Sequence, residues 1–208
     1  MARVKICGIR SWEEARAAVD AGAWALGFVF APSRRQVSVA EAAAITSRLP
    51  RGVQRVGVFV DAPAALVREA VARARLTLVQ LHGKEAPSDC LGYPVPVIKA
   101  FRVGKGFCAG QVAPYRTWAV LFDSFDARAA GGTGTTFDWE RLDSVPRPAR
   151  LILAGGLDPG NVAAAIAKVA PYAVDVSSGV EKDGRKDRRL MEQFVAAAGG
   201  RSGGHVSG

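Results

Sequence analysis

Cysteine is scarce in this chain: Cys7, Cys90 and Cys108 are its only thiols, and no two of them form a Cys-x-x-Cys pair. An odd count without that spacing argues against a disulfide framework and a zinc site, and it suits a reducing compartment. Long apolar runs are missing as well. No stretch approaches the roughly 20 apolar residues of a membrane span, and the strand that follows MARVK is too short for a signal-peptide core. These absences predict a soluble cytoplasmic protein without a membrane partner. A dense basic block is also lacking, although the net charge is +9. That charge fits a nucleic-acid binder, an anionic small-molecule partner or an arginine-rich solvated surface. The arginines are scattered without interleaved aromatics, which speaks against nucleic acid as a partner.

What the chain does have is length and apolar content for one sizeable core: 208 residues, 49% of them hydrophobic. Short runs rich in Val, Ile, Leu and Phe recur at 4–7, 24–30, 55–60, 76–81, 96–101, 118–123, 150–155 and 173–179. Alanine-rich helical patterns follow most of them. Eight strand-and-helix units without sequence for a second domain predict an α/β fold, a single-domain (β/α)8 barrel over residues 1–198. The helices after the fourth and sixth strands are expected to be degenerate. Ser11 with Glu14 and Ser38 with Glu41 read as capping boxes, and Asp61 and Asp158, each ahead of a proline, read as helix caps. Residues 199–208, GGRSGGHVSG, offer nothing to bury and are expected to form a flexible tail.

In such a barrel the reacting groups come from the C-terminal ends of the strands. Polar residues interrupt the apolar pattern there: Cys7 after the first strand, Gln80 and His82 after the fourth, Asp123 after the sixth, Ser177 and Ser178 after the eighth. Gly155 and Gly156 after the seventh strand, with Ser177, Ser178 and Gly179 after the eighth, occupy the usual phosphate-binding loops of this fold. Gly131 and Gly132 are candidates for a third wall or a lid. A lone buried thiol more often fills space than reacts, so position alone leaves both readings of Cys7 open.

Taken together, KICGI at 5–9, GFVF with SRRQV at 27–37, VGVFV at 56–60, VQLHG at 79–83, IKAF at 98–101, GGTGTTFDW at 131–139, LAGGLDPGNV at 153–162 and VDVSSGVE at 174–181 resemble the phosphoribosylanthranilate isomerase family. The blocks run in family order over nearly the whole chain ahead of the tail. The resemblance implies a (β/α)8 barrel and a cofactor- and metal-free Amadori rearrangement in tryptophan biosynthesis. It converts N-(5′-phosphoribosyl)anthranilate to 1-(2-carboxyphenylamino)-1-deoxyribulose 5-phosphate. It further implies Cys7 as general base, Asp123 as general acid and Arg35 as ligand of the anthranilate carboxylate. Arg10, where the family usually has Thr, and HGKE after the fourth strand depart from the pattern. The histidine-pathway isomerase is expected to carry Asp where Cys7 stands. A metal-dependent epimerase needs more histidine ligands than two residues, one of them in the tail, can supply.

Alternation along a strand puts Lys5 on the face of Cys7, where an ammonium lowers a thiol pKa. Cys7 is then expected to be alkylated ahead of Cys90 and Cys108. Leu121, Phe122 and Phe125 are candidate walls for an Asp123 whose proton must be held near neutral pH. Arg34 competes with Arg35, and Asp126 with Asp123. His82 reads as a structural residue that also lines the pocket, with Lys5 and Gln80 as further lining candidates, and Lys99 reads as inward-facing. The chain is expected to be a monomer or homodimer.

Overall fold

The computed structural model describes residues 2–104, 106–123 and 148–199. Gly131, Gly132, Phe125, Asp126 and all of the tail beyond Gly199 lie outside the described residues.

Eight parallel strands close into a barrel: β1 (Arg3–Cys7), β2 (Ala25–Val29), β3 (Gln54–Phe59), β4 (Leu78–Leu81), β5 (Val97–Arg102), β6 (Ala119–Asp123), β7 (Leu151–Ala154) and β8 (Ala173–Val176). Each strand pairs with its sequence neighbours, and β8 returns to β1. The expected strand runs are all present with ends that differ by at most three residues: β1 and β3 start one residue earlier and β5 ends one later, while Trp24 and Trp118, like Tyr172, belong to the turns entering β2, β6 and β8. Those three rings pack edge-on and stacked against one another across the N-terminal mouth.

Between the strands lie helices α1 (Trp12–Asp20), α2 (Val39–Thr46), α3 (Ala64–Arg73), α4 (Val162–Val169) and α5 (Arg188–Ala197). A 3-10 turn at Pro87–Cys90 replaces the helix after β4, as expected, and another at Ala109–Gln111 follows β5, which the sequence pattern did not separate from a helix. The capping box of Ser38 and Glu41 is complete. The one read at Ser11 and Glu14 is half present: Ser11 accepts from the Glu14 N–H, but the Glu14 carboxylate turns to the Arg10 N–H at 2.7 Å. Asp61 does not cap α3. It adopts a left-handed φ of 48° and accepts from the Lys84 N–H, tying the loop after β3 to the loop after β4. Asp158 caps the turn ahead of α4, accepting from the N–H groups of Gly160 and Asn161, while the N-cap position of the helix itself falls to Asn161, which makes no side-chain cap.

Strand alternation sorts the core into two. Val4, Ile6, Leu26, Phe28, Val79, Val120, Phe122, Leu153 and Val174 point out to the helices, whereas Ala25, Val56, Leu78, Ile98, Leu121, Ile152 and Ala173 fill the barrel. Removing each large side chain from water contributes roughly 1.5–3 kcal/mol. Lys99 shares the outward face with Val97, contrary to the inward placement expected for it. It is neutralised there by Glu85 at 2.8 Å and by the carbonyls of Leu81 and Gly83.

Candidate active site

Above its apolar lower layers the barrel interior turns polar. Lys5 and Asp175 are opposite one another in the β1–β8 register, and the fully buried Lys5 Nζ reaches Asp175 Oδ1 at 2.9 Å. The ammonium also contacts the Cys7 thiol, two residues along the same face. Cys7 is 9% exposed and packs on Gly27, its β2 register partner, where a Cβ would stand 2.8 Å from the sulfur. Gly27 therefore makes the room in which the thiol sits. Sequence reasoning gave it no role.

The thiol does not behave as the presence of Lys5 alone suggests. Burial pushes Cys7 up, and the opposing pull of Lys5 and of Lys186 does not overcome it, because the Asp175 carboxylate claims part of the Lys5 charge. The expectation of a lowered thiol pKa is thus corrected: desolvation outweighs a cation that is already paired. The expected order of alkylation falls with it, since Cys108 is exposed while Cys7 and Cys90 are buried.

Arg35 approaches the same thiol from the loop after β2. Its chain lies across Gly8, whose positive φ of 83° and missing Cβ leave the space that the Arg35 methylenes occupy. The guanidinium is held along one edge: Nε donates to Glu181 Oε1 at 2.6 Å and Nη2 to Oε2 at 2.9 Å. Arg34 also reaches Glu181, but its side chain is 60% exposed against 22% for Arg35, so Arg35 is the more enclosed of the two. A third cation, the buried Lys186, donates to Glu181 Oε1, to the Ser177 carbonyl and to Ser177 Oγ. Burial pushes the Glu181 carboxyl up, yet hydrogen bonds from Arg35 and Lys186 outweigh it and hold the group at about 2. Burial pushes Lys186 down in turn. Neither Glu181 nor Lys186 was singled out in the sequence. They meet because β9 (Glu181–Lys182) and β10 (Arg185–Lys186) form a hairpin, with Asp183 and Gly184 both at positive φ in its turn. Arg10 clamps this hairpin through the Gly184 carbonyl and also donates to the carbonyl of Arg34.

On the β4–β6 side the site is a chain of three side chains. Gln80 Nε2 lies 3.0 Å from His82 Nδ1, and His82 Nε2 lies 3.2 Å from Asp123 Oδ2. Asp175 is in electrostatic reach of both His82 and Asp123, which places the two halves of the site around one mouth. Leu121 sits beneath Asp123 on the inward face, whereas Phe122 points out toward Phe101 and Phe107 and is no wall of the site. A cavity of about 640 Å³ opens beside His82, walled by Phe101, Phe107 and Tyr115, with Lys84 and Arg102 among its lining residues.

Across the mouth, the loop after β7 and the turn after β8 close on each other. Gly179 packs so tightly on the Leu157 carbonyl that a Cβ has no place there. Gly155 and Gly156 take left-handed φ values of 92° and 62°, and Asn161 Nδ2 holds the Gly156 carbonyl at 2.9 Å. Ser177 Oγ donates to the Cys7 carbonyl at 3.0 Å, joining these loops to β1. The sequence candidates Gly155, Gly156, Ser177, Ser178 and Gly179 are thereby brought to one rim with Cys7. Among the described residues no group of three or more His, Cys, Asp or Glu is placed to hold a metal ion, and no helix is long and apolar enough to cross a membrane.

Residues 4–197 match the family model described as N-(5′-phosphoribosyl)anthranilate (PRA) isomerase. The N-(5′-phosphoribosyl)anthranilate isomerase of Syntrophomonas wolfei is 50% identical over 196 residues, 94% of this chain and 96% of that protein. A crystal structure of phosphoribosyl anthranilate isomerase in complex with reduced 1-(o-carboxyphenylamino)-1-deoxyribulose 5-phosphate superposes with a TM-score of 0.83 at 39% identity, covering 96% of this chain and 99% of that one. A structure of monomers generated from the dimeric enzyme of Thermotoga maritima gives 0.83 at 38%, with the same coverage.

Proposed function

We propose, for a chain that belongs to the N-(5′-phosphoribosyl)anthranilate isomerase family, that Cys7 and Asp123 divide between them the proton transfers of its reaction. The reaction itself is the isomerisation of N-(5′-phosphoribosyl)anthranilate to 1-(2-carboxyphenylamino)-1-deoxyribulose 5-phosphate in tryptophan biosynthesis. Asp123 protonates the furanose ring oxygen, the C1′–O4′ bond breaks, and a Schiff base forms between C1′ and the anilino nitrogen. The Cys7 thiolate takes the C2′ proton, giving an enolamine. Proton return to C1′ and loss of the enol proton to the Asp123 carboxylate yield the ketone and restore both groups. The observation that carries this reading is the joint placement of a buried thiol and a His82-held carboxyl at the strand ends of one mouth. A turnover assay on freshly made phosphoribosylanthranilate, followed by loss of substrate fluorescence, tests it, and absence of turnover overturns it.

The substrate is an anionic small molecule, and one solved relative holds a phosphorylated compound. We assign its phosphate to the rim of Gly155, Gly156, Ser177, Ser178 and Gly179, where backbone N–H groups and glycine permit close approach. Gly156 tests this. A Cβ there meets no atom within 4 Å, so a larger side chain enters open space, while the φ of 62° strains any branched residue. Gly156→Val should raise KM by about tenfold or more, equivalent to about 1.4 kcal/mol. An unchanged KM moves the phosphate elsewhere.

Arg35 is assigned to the anthranilate carboxylate, with one modification that the geometry imposes. Its Nε–Nη2 edge belongs to Glu181, so the carboxylate is met by the Nη1–Nη2 end of the fork. The ligand charge persists through the reaction. Arg35→Ala should therefore raise KM more than it lowers kcat, the pattern of lost uniform binding. Glu181 keeps Arg34 and Lys186 in that variant, so the fold is expected to hold. A wild-type KM refutes the assignment. The cytoplasm is the compartment we propose, and a monomer or a homodimer the assembly; the Thermotoga relative is described as dimeric.

A further inference from the structure

We propose that His82 is a positioning residue for Asp123, and that Gln80 sets the ring tautomer in which it acts. The proposal rests on the reading of Asp123 as the acid. An amide nitrogen can only donate, so Gln80 Nε2, 3.0 Å from His82 Nδ1, makes Nδ1 the acceptor. A neutral imidazole then carries its hydrogen on Nε2, which is the atom 3.2 Å from Asp123 Oδ2. One carboxyl oxygen of the acid is thereby fixed by a donor of set direction.

Gln80 supports this from an independent direction. It is 1% exposed on the inward face of β4, above Leu78, and its Oε1 is buried without a hydrogen-bond partner among the described residues. What it does satisfy is His82. The charged groups around the pair are the Asp175–Lys5 couple on the β8–β1 side and Lys84 and Arg102 along the cavity wall, while Lys99 is engaged by Glu85.

Three variants of the full chain test the proposal by steady-state kinetics and thermal melting. His82→Ala should lower kcat about 10- to 100-fold, the usual cost of misplacing a reacting group by an ångström or losing its outer support, with KM changed by less than about threefold. His82→Gln, which can present an N–H near the Nε2 position, should recover most of that loss. Gln80→Met removes the bare acceptor, so it should melt no lower than wild type and yet lose about fivefold or more in kcat, a smaller form of the same misplacement. In the Asp123→Asn background, His82→Ala should cost almost nothing further, because the proton whose delivery His82 would orient is already lost. Wild-type kcat in His82→Ala or in Gln80→Met, a His82→Gln no better than His82→Ala, or full additivity in the double variant each overturns the proposal. An Asp123→Asn enzyme of near wild-type rate instead removes the acid assignment on which it rests.

Discussion

Cys7→Ser should lower kcat/KM at least about a hundredfold, the low end for loss of a general base, which is about 2.7 kcal/mol of transition-state stabilisation. The exchange leaves the shape of the β1 terminus almost unaltered. The side chain stays over Gly27 and within reach of the Lys5 ammonium, which can donate to a hydroxyl as it does to a thiol, so the melting temperature should barely move. What changes is acidity: a serine hydroxyl is far too weak an acid to ionise near neutral pH, whereas the thiol, even pushed up by burial, still yields a small thiolate fraction. Near wild-type turnover in Cys7→Ser makes the residue a packing thiol. Alkylation does not substitute for this experiment, since the exposed Cys108 is the accessible thiol.

The barrel was legible because its strands are buried on both faces and therefore read as nearly unbroken apolar runs, with polar residues marking their C-terminal ends. Cys7, His82 and Asp123 stood out on that background. The polar framework around them was less visible, for reasons particular to each residue. Asp175 interrupts the AVDV run at an inward position and faces Lys5 across the β8–β1 seam, a pairing that appears only when the sheet is closed on itself. Lys186 and Glu181 are brought together by a two-residue Asp-Gly turn, a hairpin signal that the strand-and-helix pattern overshadowed. Asp61, read as a helix cap, serves instead to join two loops, and the N-cap position of α3 falls to Pro63, which makes no side-chain cap. The sign of the Cys7 shift was out of reach of the sequence: whether an adjacent ammonium outweighs burial depends on what else that ammonium holds.

Asp123→Asn should fall at least as far as Cys7→Ser, since ring opening precedes every other step. Asn keeps the size of the side chain, and its amide oxygen can accept from His82 Nε2, so the site stays assembled while the transferable proton is lost. The pH dependence then separates the two groups. The productive enzyme has Cys7 as thiolate and Asp123 as carboxylic acid. Because burial raises the thiol above its ordinary value, and a carboxyl ordinarily titrates several units lower, that form is a small, constant fraction between the two pKa values. Wild-type kcat/KM is accordingly flat near neutrality, falling below the carboxyl pKa and above the thiol pKa. Without the carboxyl, rate follows thiolate alone, so kcat/KM of Asp123→Asn should climb about tenfold per pH unit through neutrality and level off only above the thiol pKa. Without the thiol, rate follows the protonated acid, and Cys7→Ser should decline about tenfold per unit over the same range. Profiles of opposite slope assign the two protons residue by residue, and an Asp123→Asn profile that stays flat through neutrality transfers the acid role to another group.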